Sequence, residues 1–368
     1  MYQNDMNSYD GFSEDTEVKT DHGWKLVKDI NINTDHILSL NPKTHEIEYV
    51  NLIDKIDQPY NGILLHFHNK LTLDILVTPK CKLLITNNRT AKGCFQLKSA
   101  NNIRKSNLLP FNYFKYSSFT KQPAPFILHG IQQLQQYSRK VINVPDKIID
   151  LEAWLQFFGF WLADGCWRDH INSYGHRDYT ISIKQNEKLE EYVLSLIKNI
   201  GFQARITRFK NHNNNYNIYS KQLWIYLQQF GRSENKYIPE WILQLPKKYL
   251  QTLLNSYYDG DGYVFAHAYH YSSRSLKLMN GLQEILLKIY GKLYQIRTIN
   301  TVYRGKPYVY YMISANHSRK SSNFAKYNIP TQVEYHNHVC NLILEKNHIM
   351  LARRHMKTFW IGAKNHME

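Results

Sequence analysis

Hydrophobic and polar residues alternate in short runs over the first part of the chain. Runs such as TEVKT, HILSLN, GILLHFHN and KLLIT have the period of two that is typical of half-buried strands. Turn signals such as Asn41-Pro42 and Asn61-Gly62 separate them. The pattern predicts an all-β region over residues 12–84, and strand-like runs return near the end in HVCNLILEK, HIMLARR and KTFWIGA.

The middle of the chain has a different pattern. Residues 87–149 are less regular and contain the basic stretch NNRTAKGCFQLKSANNIRKSN, which is typical of a linker or of a separate basic lobe. Residues 150–335 then alternate between helical and strand periods. These changes predict four segments, with boundaries after residues 86, 149 and 335.

The third segment contains an internal repeat. The pairs Asp164-Gly165 and Asp261-Gly262 each close an apolar helical run and lie 97 residues apart. A strand and an amphipathic helix ending in glycine follow each pair, in SIKQNEKLEEYVLSLIKNIG and SSRSLKLMNGLQEILLKIYG. Further on, NKYIP and AKYNIP place Lys236 and Lys326 90 residues apart. The repeat predicts a duplicated αββ-type unit.

The two helices that end in these acids have matching small residues. Gly159 and Ala163 lie four apart in the first helix, and Ser256 and Gly260 take the same places in the second. Residues four apart share one helix face, so small side chains there allow two helix backbones to approach closely. We therefore expect the two helices to pack against each other with their C-terminal ends together.

Such packing would bring the carboxylates of Asp164 and Asp261 together. Two acids at the negative ends of helix dipoles repel each other, and a divalent cation with oxygen ligands would compensate them. The sequence therefore predicts a metal site at these acids and the adjoining Gly165 and Gly262. The alternative is that each Asp-Gly pair only ends a helix, since glycine is the favoured stop.

Composition and charge indicate the partner. The chain has 46 Lys plus Arg against 30 Asp plus Glu, a net charge of +16, and 28 Tyr. This balance favours a polyanion such as nucleic acid, although a genome rich in lysine and asparagine codons would also produce it. The four cysteines form no CxxC pair, and no apolar run is long enough to cross a membrane. We expect an intracellular protein without membrane contact, located in the nucleus if the host has one.

The paired motifs FFGFWLADG and NSYYDGDG resemble the two LAGLIDADG helices of the monomeric homing endonucleases. The resemblance implies that Asp164 and Asp261 bind catalytic Mg²⁺, with Mn²⁺ as a substitute. It also implies that Lys236 and, less closely, Lys326 are active-site lysines, since each stands ahead of an IP step. Only the ends of the two motifs are well kept.

The flanking segments resemble the splicing domain of an intein, the Hint fold. GFSEDTEVKTDHGWKLVKDI is similar to its opening, LVTPKCKLLI to its second block and NHIMLARRHMKTFWIGAKN to its closing blocks. The resemblance maps the splicing positions onto Gly11, Thr78, Cys81, His348 and Asn365. Gly11 replaces the Cys or Ser nucleophile and Cys81 replaces an assisting His, so we expect splicing to be lost.

Together these observations predict an α+β protein. A β-rich Hint-like domain, residues 1–86 and 336–368, is split around a basic region, 87–149, and a pseudo-twofold duplicated αββαββα LAGLIDADG endonuclease domain, 150–335. The predicted function is metal-dependent cleavage of a long asymmetric site in double-stranded DNA by a monomer. The DNA contacts are expected on the sheets, at Arg205, Lys210, Arg297 and Arg304.

Two other functions remain open on the sequence. The chain could be a catalytically inactive DNA-binding or regulatory protein on the same scaffold, which would bind DNA without cutting it. It could also be a self-processing Hint protein, which would cleave or ligate peptides fused to its ends. The two retained acids favour the endonuclease.

Overall fold

The computed structural model describes residues 10–86, 95–116, 123–134, 140–171, 177–210, 213–316, 324–326 and 328–364. The chain divides into two compact units. The first unit comprises residues 1–117, 286–297 and 316–368, and the second comprises 118–285 and 298–315. The region 87–149 is therefore shared between both units.

The elements follow one another along the chain with these bounds. The first strands are β1 (Phe12–Ser13), β2 (Glu17–Thr20), β3 (Gly23–Leu26), β4 (His36–Leu40), β5 (Glu46–Pro59), β6 (Gly62–His68), β7 (Asp74–Val77), β8 (Lys82–Ile85), β9 (Gln96–Ser99), β10 (Leu108–Pro110) and β11 (Lys115–Tyr116). The middle of the chain contains β12 (Phe126–Leu128), β13 (Ile131–Leu134), β14 (Val141–Val144), β15 (Lys147–Ile149), α1 (Leu151–Asp164), β16 (Gly165–Ile171), β17 (Arg177–Gln185), α2 (Glu190–Asn199), β18 (Arg205–Thr207), β19 (Asn214–Tyr219), α3 (Lys221–Gln228), α4 (Glu240–Leu243) and α5 (Lys247–Asp261). The remaining elements are β20 (Tyr263–Phe265), β21 (Ala268–Ser273), α6 (Leu276–Tyr290), β22 (Ile296–Tyr303), β23 (Lys306–Ala315), β24 (Phe324–Lys326), β25 (Thr331–Tyr335), β26 (His338–Leu344), β27 (Ile349–Arg354) and β28 (Lys357–Gly362).

The first unit is built on one 14-stranded sheet. Its main path runs β25-β6-β7-β1-β26-β5-β4-β2-β27-β28-β8-β9, while β3 pairs with β2 and β11 with β5. Strands from both ends of the chain are therefore interleaved, as in the antiparallel pairing of Phe12 with Cys340. Buried residues such as Phe67, Leu83 and Trp360 form its core. The strands expected over residues 12–84 and in the last stretch are confirmed.

The second unit contains two four-stranded sheets with the same internal order of connections. One runs β16-β17-β19-β18 and the other β20-β21-β23-β22. In each case a long helix precedes the first hairpin, and a second helix separates it from the other two strands. The helix–strand–strand order that the repeat predicted is therefore present twice. The elements α6 and β22 continue across the boundary with the first unit.

Helices α1 and α5 lie side by side in the second unit. The side chain of Asp150 caps the start of α1 by accepting from the backbone N–H of Ala153 at 2.9 Å. A Cβ added to Gly159 would meet the carbonyl oxygen of Leu253 at 2.6 Å, and one added to Gly260 would meet the Cβ of Ala163 at 2.6 Å. The small residues that the sequence singled out thus lie at the contact between the two helices.

The helix contact predicts an unusual response to a Gly→Ala substitution. Alanine in a helix interior normally stabilises a protein by about 0.5–1 kcal/mol relative to glycine. Because the new methyl group has no room against the α5 backbone, we expect Gly159→Ala to destabilise the protein by about 2 kcal/mol. Urea unfolding measures the difference.

Gly281→Ala is the matched control. It is also a glycine inside a helix, and its added Cβ would lie 3.1 Å from Cδ1 and 3.2 Å from Cβ of Ile238, with no backbone atom among its nearest contacts. We expect this variant to unfold within about 0.5 kcal/mol of the parent. Equal stability of both variants would show that the close helix contact is absent.

Candidate active site

The C-terminal ends of α1 and α5 have the same local geometry. Each helix ends in an aspartate and is followed by a glycine with extended backbone, φ −85° at Gly165 and −88° at Gly262. Both Asp-Gly pairs therefore do end helices, but without the left-handed glycine that is common at such stops. A Cβ added to Gly165 would meet Cδ1 of Trp161 at 2.1 Å, and one added to Gly262 would meet Cδ2 of Tyr258 at 2.1 Å. Glycine is required at both positions because the aromatic ring of the residue one helical turn earlier occupies the space that a Cβ atom would need.

The two carboxylates influence each other. Burial raises the pKa of Asp164 to about 7, and the negative charge of Asp261 is the next cause. Burial also raises the pKa of Asp261, although its side chain reaches solvent more than that of Asp164. The structure thus brings the two predicted acids together in one electrostatic environment. Ionising both at neutral pH is unfavourable unless a cation joins them.

Lys236 lies beneath this pair with a buried ammonium group. Its Nζ donates to the carbonyl oxygens of Trp161 at 2.8 Å, Leu162 at 3.0 Å and Gly165 at 2.6 Å. Burial lowers its pKa to about 8, while the nearby carboxylates act in the opposite direction. The carbonyl of Trp161 also accepts from the N–H of Gly165, while those of Leu162 and Gly165 gain a partner in the lysine. The lysine therefore also holds the turn that carries Asp164.

Gln185 is a site residue that the sequence reasoning missed. Its Nε2 donates to Oδ2 of Asp164 at 2.8 Å from the end of β17. Gln185 ends β17, the strand that pairs with β16 directly after Asp164. The sequence has no signal for this role, because a glutamine at a strand end has no distinctive spacing.

A cavity of about 330 Å³ opens beside the carboxylates. Asp261 and Lys236 line it together with Ser233, Ser272, Ser273, Arg274, Tyr263, Tyr308 and Tyr310. The lining combines acids, cations and hydroxyl groups, which is suited to a polar, charged ligand. Arg274 is already paired with Glu234 and lies with its guanidinium 4.9 Å from the ring centre of Tyr308.

The remaining predicted active-site residues are placed differently. The carbonyl oxygen of Gly165 already accepts a hydrogen bond from Lys236, which leaves one lone pair for another ligand. Lys326 ends β24, which pairs with β10 in the first unit, and its side chain lies outside the described residues. Within the described residues, the electrostatic partners of Asp261 therefore include one lysine, Lys236.

The predicted DNA contacts all lie at the surface. Arg205 and Arg297 are exposed on β18 and β22, and Lys210 is exposed in a turn. Arg304 is exposed in the turn between β22 and β23, where its guanidinium lies 5.3 Å from the ring centre of Tyr303. Their exposure is compatible with the predicted role and does not test it.

The predicted splicing positions cluster in the first unit. Gly11 and Thr78 exchange two hydrogen bonds, the N–H of Gly11 donating to Oγ1 and the N–H of Thr78 to the carbonyl of Gly11. The N–H of Cys81 donates to the carbonyl of Thr78 at 3.1 Å. The carbonyl of His348 accepts from Ala363, while Asn365 lies outside the described residues.

The donor set at Asp164 and Asp261 fits a divalent cation. Both carboxylates have raised pKa values even though Lys236 is close, so negative charge there is not fully compensated. Carboxylate oxygens are the ligands that Mg²⁺ prefers. Another cluster, Asp21 with His22 and Asp35, is less suitable because Lys25 already binds both oxygens of Asp35, at 2.7 and 2.8 Å.

Comparisons with known proteins add a family match. Residues 249–327, which contain most of α5 and the second sheet, match the family model described as LAGLIDADG-like domain. The chain is 26% identical over 285 residues to an ATP-dependent Clp protease proteolytic subunit of Chlamydomonas moewusii, covering 75% of this chain and 27% of that protein. It is 28% identical over 257 residues to a DNA-directed RNA polymerase subunit beta C-terminal section of Stigeoclonium helveticum, covering 65% and 22%. The chain thus spans about a quarter of the length of these curated relatives.

Two solved structures are also similar. I-DmoI in complex with DNA and Mn has 14% identity and a TM-score of 0.34, covering 45% of this chain and 90% of its own. The AceL NrdHF class 3 split intein has 10% identity and a TM-score of 0.25, covering 58% and 99%. In the described residues, no helix is long and apolar enough to span a membrane.

The raised pKa of Asp164 predicts how stability depends on pH without metal. Between its ordinary value of 3.8 and about 7, the folded state binds more protons than the unfolded state, so stability falls as pH rises. We expect Asp164→Asn to stabilise the metal-free protein by about 2 kcal/mol at pH 8. Most of the gain should be lost at pH 4, where Asp164 is protonated in the folded parent and the unfolded state is only partly ionised.

Thermal unfolding in chelator-treated buffer at pH 4 and pH 8 measures this gain. Added Mg²⁺ should raise the melting temperature of the parent at pH 8 and have less effect on the variant, because one metal ligand is lost. Asp169→Asn is the control, since Asp169 is exposed and paired with Arg177. A loss of stability in Asp164→Asn at pH 8 would contradict the repulsion.

Proposed function

We propose that this chain is a metal-dependent, site-specific double-strand DNA endonuclease of the LAGLIDADG type, and that it has lost protein splicing. One observation carries the proposal. The ends of two closely packed helices bring Asp164 and Asp261 into one environment in which both have raised pKa values. The family match over residues 249–327 and the net charge of +16 support the same conclusion.

The proposed site works through positioned carboxylates. Asp164 and Asp261 would hold divalent metal, which activates water and stabilises the leaving oxygen of a phosphodiester. Gln185 orients the Asp164 carboxylate by donating to Oδ2. Lys236 fixes the end of α1 and places a positive charge beneath the pair, where it stabilises negative charge on the reacting phosphate.

The two halves of the second unit suggest how DNA would be held. In the proposal they are related by a pseudo-twofold axis between α1 and α5, and each sheet lies in the major groove. A two-stranded β-ribbon or sheet of this width fits that groove. The monomer would then read a long asymmetric site, with Arg205, Lys210, Arg297 and Arg304 at the DNA backbone or bases.

The first unit supports the loss of splicing. A Cβ added at Gly11 would lie 2.8 Å from the carbonyl oxygen of Cys340, so the position has no room for a cysteine or serine side chain without a shift. Cys81 is fully buried, and burial together with Asp10 raises its pKa well above that of a free thiol. Neither position offers a reactive nucleophile, which fits a Hint-like fold kept as a scaffold.

The relatives support an origin as an inserted segment. Two proteins with unrelated names share stretches of 285 and 257 residues with this chain, which are only 27% and 22% of their lengths. A segment that recurs inside different kinds of protein is expected of a mobile element. The proposal assigns the same ancestry to this chain.

Cleavage of selected DNA tests the endonuclease. We expect double-strand breaks with Mg²⁺ or Mn²⁺, and a loss of at least about 1,000-fold in rate for Asp164→Asn or Asp261→Asn, because each carboxylate is a metal ligand. Asp169→Asn is the matched control on the exposed part of β16 and should cut like the parent. Salt-dependent binding without any cutting by the parent would support the inactive DNA-binding protein instead.

Loss of splicing has a separate test. Short peptide tags fused to both ends should remain attached during prolonged incubation with and without a reducing thiol, since Gly11 supplies no nucleophile. Mass spectrometry of the intact fusion measures this. Appearance of ligated tags or of a shortened chain would contradict the assignment and favour a self-processing protein.

A further inference from the structure

The outward side of the second sheet has an unusual chemistry. Side chains alternate between the two sides of a strand, so Tyr263 and Phe265 of β20 lie on the same side as Tyr308 and Tyr310 of β23. The hydroxyl group of Tyr263 lies 3.6 Å from Sδ of Met312 on β23. Tyr263 and Phe265 are 47% and 67% exposed. Tyr263, Tyr308 and Tyr310 also line the cavity that contains Asp261. The aromatic surface is therefore continuous with the candidate active site.

The corresponding side of the first sheet is mainly polar, although Tyr219, which faces Thr180, is 56% exposed on it. The two sheets can be compared at equivalent pairs of facing residues on their first two strands. In the first sheet, Cys166 faces Ser182 and Arg168 faces Thr180. In the second sheet, the equivalent pairs are Tyr263 with His270 and Phe265 with Ala268. On the neighbouring strand β19, Oδ1 of Asn217 accepts a hydrogen bond from the hydroxyl group of Ser182. The two sheets have the same strand order but present different groups on this side, so they are suited to different ligand surfaces.

The charge around the aromatic surface fits a polyanion. Residues 262–275 and 294–315 contain no aspartate or glutamate, whereas Arg274, Arg297, Arg304 and Lys306 are all basic. Arg297, Arg304 and Lys306 are exposed. Cations surrounding an apolar centre match the DNA major groove, where phosphates flank the base edges.

The arrangement of the rings favours edge contacts over stacking on unpaired bases. The ring of Tyr263 stacks on His270 with centroids 4.7 Å apart and an angle of 10°. One face of Tyr308 is covered by Arg274 and one face of Tyr303 by Arg304, at 4.9 and 5.3 Å. With one face of each of these rings occupied, less ring surface is left for stacking on unpaired bases, and the ring edges and the exposed Phe265 are suited to contact with methyl groups.

We propose that the outward side of the second sheet, centred on Phe265 and Tyr263, reads thymine methyl groups in the major groove of one half of the DNA target. The 5-methyl group of thymine is the apolar feature of that groove, and phenylalanine is among the side chains that contact it. The inference rests on the proposed function and deepens it. One half-site is read by apolar contact with thymines and the other by polar groups.

The test begins with duplexes recovered by binding to the full chain from a random-sequence pool. Each recovered duplex is resynthesised with deoxyuridine in place of thymidine, separately in each half. We expect uridine in one half to weaken binding about threefold for each contacted methyl group lost. Uridine in the other half should change binding less than about 1.5-fold, because methyl groups there are not contacted.

Two variants assign the effect to the sheet. Phe265→Ala should distinguish thymidine from deoxyuridine duplexes less than the parent does, since one of the two apolar contacts is removed. Val264→Ala is the matched control, because Val264 is 59% exposed on the opposite side of the same strand. It should keep the full preference for thymidine, and circular dichroism checks that both variants are folded.

The outcomes separate this inference from the endonuclease itself. Equal sensitivity of both halves, no sensitivity in either, or the same preference in Phe265→Ala and the parent would overturn the thymine contact while leaving cleavage intact. Tighter binding of the recovered sequences as single strands than as duplexes would overturn it in favour of base stacking. Failure of the recovered duplexes to be cut with Mg²⁺ would instead count against the proposed function.

Discussion

The close approach of α1 and α5 is the constraint on which the candidate site depends. Gly159 contacts the α5 backbone and Gly260 contacts Ala163, so no side chain keeps the helices apart. Because the helices end together, the backbone contact also fixes how near Asp164 and Asp261 lie. The electrostatic repulsion between the acids is thus a consequence of packing, and the fold cannot relax it by moving one side chain away.

Compensation for this repulsion is unequal between the two acids. Asp164 accepts a hydrogen bond from Gln185 and lies on the turn that Lys236 holds through three carbonyls. Among the described residues, the charge of Lys236 favours the ionised form of Asp261. No side-chain amide there donates to Asp261 as Gln185 does to Asp164. The buried ammonium group of Lys236 already donates to three carbonyl oxygens, so it has no further hydrogen to donate to either carboxylate. The remaining negative charge is what makes a bound cation favourable.

Much of this organisation could be predicted from the sequence. The period of two gave the strands of the first unit, and the spacing of Gly159, Ala163, Ser256 and Gly260 indicated the helix contact before any coordinates. These features depend on neighbouring residues within one element. The recurrence of its position in the repeat points to Lys236. Its three carbonyl partners instead depend on how residues 232–239 pass the end of α1, and no local sequence pattern predicts that path.

Lys326 shows that a recurring sequence does not have to adopt the same secondary structure in both copies. It lies 90 residues after Lys236 in a similar stretch, yet its strand pairs with β10 in the first unit. Pairing is decided by long-range contacts, and after a duplication each copy can acquire its own neighbours. The two sheets can keep one strand order while their outward sides differ. The strand order is fixed by the loops and helices that connect the strands and by the buried residues. Exposed positions such as Arg168 and Phe265 contribute little to either, so they can diverge toward different parts of an asymmetric ligand.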